Sequence, residues 1–172
     1  FNSNENNLAT LSTFTIENGS AFNSNVVTEN YGGGIHCRFA YPTLKNLIIK
    51  NNEAGFAGAG IFIQDNGQSE MLVENCIIKD NSSGAQAAGV YIAGESQNIN
   101  FRNIVISDNL VSNTICCGWG GAFGIHYYST VTLENATIWG NNSNSSAIFM
   151  EVHTDLAQIQ QLRMRPNSHG LQ

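Results

Sequence analysis

Charge is scarce in this chain. Only 12% of its 172 residues are Asp, Glu, Lys or Arg, and 13 acidic residues outnumber 7 basic ones. A net charge of −6 leaves no basic surface for nucleic acid or for an anionic membrane, so neither is expected as a partner. Proline is reduced to 2 residues while 42% of the chain is hydrophobic, which excludes disorder by composition. No apolar run approaches the roughly 18 residues of a membrane helix, so no membrane insertion is expected. There is no initiator Met and no basic-then-apolar leader. The opening FNSNENN reads as the interior of a longer protein or as a mature end left by cleavage.

Chemical motifs are missing as well. The chain holds no CxxC, no GxSxG, no HExxH, no phosphate loop and no Asp-x-Asp pair, and neither metal nor cofactor is expected. Cys37 and Cys76 lie in apolar-alternating runs and should be buried. Cys116 and Cys117 are vicinal, an arrangement that strains a bridge between them.

What the chain does have is a repeat. Five segments align: LSTFTIENG (11–19), LKNLIIKNN (44–52), VENCIIKDN (73–81), FRNIVISDN (101–109) and LENATIWGN (133–141). Their anchors Ile16, Ile49, Ile78, Ile106 and Ile138 are spaced by 33, 29, 28 and 32 residues, each with an apolar residue five places earlier. Between them recurs a glycine motif: GGIHC (33–37), AGIFI (59–63), AGVYI (88–92), FGIHY (123–127) and a degraded SAIFM (146–150). Each repeat therefore offers a short lead strand, a bend, a core strand, a loop and a glycine strand, with no helical period inside it. Short strands recurring about every 30 residues indicate an all-β parallel β-helix of about five coils, three strands per coil. The expected hand is right, following the rule for parallel crossovers.

The asparagines fit that scheme. Asn46, Asn75, Asn103 and Asn135 stand three residues before their anchors, where a sharp corner needs a residue tolerant of left-handed backbone. A second polar row follows the core strand: Asn18, Asn51, Asp80, Asp108 and Gly140. Both read as structural ladders rather than as metal ligands, and the same register argues against glycosylation at Asn81-Ser-Ser.

These repeats resemble the right-handed β-helix, pectin-lyase-like superfamily over about residues 8–152. The GGGI (32–35) and GAGI (58–61) motifs also resemble repeats of bacterial polymorphic outer-membrane and adhesin-like proteins. The resemblance implies an extracellular or bacterial cell-surface setting. It also implies a ligand groove over the strand that follows the variable loop, which here is the glycine strand.

Alternation along the glycine strand places Ile35, Ile61, Val90, Ile125 and Ile148 inside and His36, Phe62, Tyr91, His126 and Phe149 outside. Five rings in a row suit either a self-stabilising stack or a platform for carbohydrate or protein, with Trp119 on the adjoining glycine-rich loop. If there is catalysis, His126 and Tyr128 should meet Glu151 of the next coil, as in a polysaccharide lyase or hydrolase. Without it, the chain is a non-catalytic surface module. A second outward row, Ile48, Ile77 and Val105, is apolar and is expected to support a homodimer.

The coil domain is expected over residues 1–153. TDLAQIQQLRM (154–164) places Leu156, Ile159 and Leu162 at helical spacing and predicts a short amphipathic helix capping the stack. Residues 165–172 read as a tail of cloning origin.

Overall fold

The computed structural model describes residues 1–2, 5–22, 30–65, 70–94, 98–112, 118–126, 129–150 and 158–164. Its strands form parallel ladders between successive coils. The lead strands β1 (Thr10–Ser12), β5 (Thr43–Lys45), β9 (Met71–Glu74) and β13 (Ile99–Arg102) pair in that order and end on β17 (Val131–Trp139). The core strands β2 (Thr15–Glu17), β6 (Ile48–Lys50), β10 (Ile77–Lys79) and β14 (Val105–Ser107) end on the second half of the same β17. The glycine strands β4 (Ile35–Arg38), β8 (Ile61–Asp65), β12 (Val90–Gly94), β16 (Phe123–His126) and β18 (Ile148–Met150) form a third stack.

A fourth ladder refines the expected three strands per coil. Two-residue strands β3 (Ser20–Ala21), β7 (Glu53–Ala54), β11 (Ser82–Ser83) and β15 (Leu110–Val111) pair inside what the sequence presents as loop. Single bridges continue it through Tyr31, Ala57, Gln86 and Trp119. Among the described residues the result is four complete four-strand coils, with incomplete coils stacked after them.

The anchor and leading columns of the repeat lie in register. The anchors pair as Ile16↔Ile49↔Ile78↔Ile106↔Ile138, and the leading residues as Leu11↔Leu44↔Val73↔Phe101↔Leu133. From the second coil onward both columns are buried and form the spine of one core. Full burial of each aliphatic side chain contributes roughly 1.5–3 kcal/mol, so the stack is held by repetition of one contact. The first coil is poorer: Phe14 and Phe22 are 60% and 68% exposed.

Two columns of left-handed residues, one of them asparagine throughout, turn the corners. Asn46, Asn75, Asn103 and Asn135 have φ of 52–55°. Their amides bond from coil to coil at 3.1–3.2 Å, outside the tube. Asn18, Asn51, Asp80, Asp108 and Gly140 form the second left-handed column.

The residue after each member of that second column forms a ladder that the sequence reading does not distinguish. Asn52, Asn81, Asn109 and Asn141 point inward and are buried. Each Nδ2 of the first three donates to the Oδ1 of the next coil at 2.8–3.0 Å, and that same Oδ1 accepts the backbone N–H. The second Nδ2 hydrogen goes to the anchor carbonyl of the coil before, Ile16, Ile49, Ile78 or Ile106. These polar groups are satisfied within the wall, which is the condition for burying an amide there. Asn81 is thereby unavailable to a glycan.

The capping helix is corrected. Residues 158–164 form β19 (Gln158–Met164), parallel to β17, with Leu133↔Ile159 and Ile138↔Met164. Ile159 stands five residues before Met164, the interval separating each leading residue from its anchor, so this segment is a further worn copy of the repeat. A strand satisfies the N–H and C=O groups along the open edge of β17, which a helix laid across it would leave unpaired. Residues 154–157 lie outside the described residues.

Candidate functional site

The glycine strand is built by its leading residues. Gly58 takes φ of 64°, and a Cβ on Gly60 would lie 2.5 Å from the carbonyl oxygen of Gly89 and 2.9 Å from Ile78. Only glycine lets one coil approach the next so closely there. The strand then runs Ile61 inward, Phe62 outward and Ile63 inward.

Outward does not mean wet. Phe62 is 3% exposed and Tyr91 5%, in a small second core with Ala57 and Ala87, flanked by Tyr31, Phe56 and Ala93. The segment entering each glycine strand folds back over the ring, and a Cβ on Gly58 would come within 2.9 Å of the Phe62 Cβ. Phe62 and Tyr91 stack at 5.9 Å and 12°, while His36 meets Phe62 edge-on at 4.8 Å and 77°.

The fourth coil corrects the expected row of rings. β16 pairs with β12 as Val90↔Phe123, Tyr91↔Gly124, Ile92↔Ile125 and Ala93↔His126. His126 is therefore one outward position further along the strand than Tyr91, in a column with Arg38, Gln64 and Ala93. Gly124 holds the ring position, and the Tyr91 ring leans over it: an added Cβ would lie 2.9 Å from Tyr91 Cδ2. His126 still reaches Tyr91, with centroids 6.5 Å apart. Because the displacement is two residues, inside and outside are preserved while the column changes. Phe149 does take the ring position in β18, stacked on Trp119 at 4.6 Å and 20°.

A groove of about 430 Å³ runs along this face. Its floor is the ring column His36, Phe62 and Tyr91; one side is the polar column Arg38, Gln64, Ala93 and His126; the other is Tyr31, Phe56 and Gln86. Trp119 and Phe149 stand apart from it. Gln64, Gln86, Tyr31 and Phe56 are lining residues that the sequence reading misses. Their signal is positional: Gln64 stands two residues after the ring, and Gln86 four before its strand.

His36 is the unusual member. Its Nε2 is enclosed without a hydrogen-bond partner. Burial pulls its imidazole below the ordinary value of 6.5, and the positive charge of Arg38 acts the same way. The ordinary consequence is a neutral ring at physiological pH.

Of the residues expected to perform acid–base chemistry, His126 lies at the groove, whereas Tyr128 and Glu151 are outside the described residues. Among the described lining residues there is no carboxylate. No three His, Cys, Asp or Glu side chains converge among the described residues. Cys37 and Cys76 are buried and free, and burial pushes the Cys37 thiol up to about 12. Cys116 and Cys117 lie outside the described residues. On the core-strand face Ile48 and Ile77 stand side by side, each 38% exposed, next to a half-buried Val105.

A parallel coil with this repeat is matched by one family profile, the right-handed β-helix region, over residues 4–158. The chain belongs to the right-handed β-helix family. No curated protein and no solved structure matches it. Family membership accounts for the stacked coils, the parallel ladders and the hand of the crossover.

Proposed function

We propose that this β-helix is a non-catalytic binding module of a cell-surface or extracellular protein, and that the groove over the glycine strand holds a saccharide. The observation that carries this reading is the convergence of two glutamine amides, two imidazoles, a guanidinium and the Tyr31 ring on one groove. Hydroxyl groups donate and accept, and so do amides and neutral imidazoles, so a polyhydroxylated ligand satisfies this set. The volume falls within the roughly 300–1,000 Å³ usual for small-ligand sites. Phe62 and Tyr91 spend their faces on each other, which leaves hydrogen bonds rather than ring stacking to hold a sugar. A handful of neutral hydrogen bonds at about 1 kcal/mol each gives millimolar affinity, rising where several residues of a polymer bind together.

The test is a glycan microarray followed by titration of Gln64→Ala and Gln86→Ala. Each substitution should weaken binding about fivefold, the equivalent of roughly 1 kcal/mol, with circular dichroism unchanged. Binding indifferent to both substitutions, or no saccharide bound, overturns the reading. Turnover of a bound polysaccharide that is abolished by His126→Ala would move the protein to the hydrolytic or lyase alternative.

A further inference from the structure

We propose that His36 is a proton-operated latch on the groove: neutral, its ring closes the first-coil end of the ring column, and protonated, it leaves the column and opens that end. The inference rests on the saccharide reading only for its effect on binding; the latch is a property of the free protein.

The argument begins with the column. In register, the second and third coils carry Phe62 and Tyr91, and the first carries His36. The column therefore closes on the one ring that titrates near neutral pH. His36 packs edge-on against Phe62 at 4.8 Å, an arrangement a neutral ring supports.

An imidazolium has two N–H donors, and both need acceptors when buried. The Nε2 of His36 has none and no contact with solvent. Among the described residues, the groups around it offer no anion. Arg38 stands two residues on, and its positive charge opposes a second one on the ring. From β8 come Phe62 and Gln64, and from the opposite wall Tyr31, all uncharged at neutral pH. His126 lies on the far side of Tyr91. Glu5 exerts its field on Cys37, whose side chain points to the other side of the strand. A protonated His36 is thus left with an unbonded donor beside a like charge, opposed only by the attraction of a cation for the Phe62 ring. Rotation toward solvent relieves both costs, and it removes one end of the groove. The lowered proton affinity described above agrees with this direction.

The linkage sign follows. With the folded value below the unfolded one, the unfolded chain takes up the proton first as pH falls below about 6.5. Stability is full above that pH and declines through the window below it.

Imidazole-detected nuclear magnetic resonance of the free protein, from about pH 4 to 8, tests the latch. His36 should titrate below free histidine, with the ring resonances of Phe62 and Tyr31 moving on the same curve. In His36→Phe, which keeps a ring in the column, those shifts should vanish. Titration at or above the value of free histidine, or Phe62 and Tyr31 rings that stay still through it, overturns the proposal. For a saccharide found on the array, Kd should rise through the His36 titration in the wild type, and that rise should be missing in His36→Phe. A wild-type Kd that ignores the titration also overturns it. If no saccharide binds at any pH, the binding reading fails, and the ring titration alone decides the latch.

Discussion

Asn109 donates from Nδ2 to the Oδ1 of Asn141 at 2.8 Å, and both side chains are buried in the wall of the solenoid. Removing the Asn109 side chain strips the acceptor from the N–H and Nδ2 of Asn81 and the donor from the carbonyl of Ile78 and from Asn141. Several buried orphans at roughly 1–3 kcal/mol each predict that Asn109→Ala loses about 3 kcal/mol or more, among the larger effects for one substitution. Asn103, in the outer ladder, bonds at 3.1–3.2 Å where water competes. Asn103→Ala should lose about 1–2 kcal/mol, mainly because alanine lacks the short amide side chain that eases a left-handed corner, and Asn103→Gly less. Urea denaturation midpoints, at unchanged slope, give the comparison.

Gly124 and Tyr91 share one space. A Cβ at residue 124 would sit 2.8 Å from the Ala87 Cβ and 2.9 Å from the Tyr91 ring. Gly124→Ala should therefore cost about 1–2 kcal/mol and perturb the near-ultraviolet signal of the ring column. Part of that cost should return in the double substitution Gly124→Ala, Tyr91→Leu. Strict additivity of the two substitutions would mean that the ring does not lean where the structure puts it.

The thiol of Cys37 should be inert in the folded protein. It is enclosed in the core, and its titration is pushed up to about 12, so almost no thiolate exists near pH 8. Cys76 is raised as well, through burial. Residue-resolved mass spectrometry after brief alkylation should find both unmodified until denaturant is added.

Strand β19 predicts an alternating exchange pattern. An edge strand in a parallel ladder hydrogen-bonds every second amide, whereas a helix protects consecutive ones. Hydrogen exchange over residues 158–164 should show slow and fast amides in alternation. Uniform protection across the segment would restore the capping helix.

Much of this fold is legible in the sequence, because each coil must repeat the same inward residues in order to stack. The five-residue step from Leu133 to Ile138 recurs in every coil and sets two of the ladders. The same step from Ile159 to Met164 goes unread because Leu156, Ile159 and Leu162 also satisfy a helical period. What separates the two readings is the open edge of β17, a tertiary fact. The placement of His126 fails for a local reason. GIH occurs at both 34–36 and 124–126, and aligning the two puts His126 beside Tyr91. The backbone follows a different marker, the left-handed residue three before each strand: Gly32, Gly58, Ala87 and Gly120. The burial of Phe62 has no local signal, since the segment that covers it is merely rich in small residues. The inner ladder stands in plain view as the last letter of four of the five repeats. Of a pair such as Asn51-Asn52 the repeat singles out only the first member, which turns the chain, whereas the second faces the core.

A saccharide held in the groove over the glycine strand should be visible residue by residue in amide and side-chain chemical-shift mapping with a ligand selected on the array. Shifts should be confined to Arg38, Gln64, Gln86, Tyr91, His126 and their neighbours, leaving Ile48, Ile77 and Val105 unmoved. Shifts centred on the core-strand face, or none at saturating saccharide, would contradict that placement.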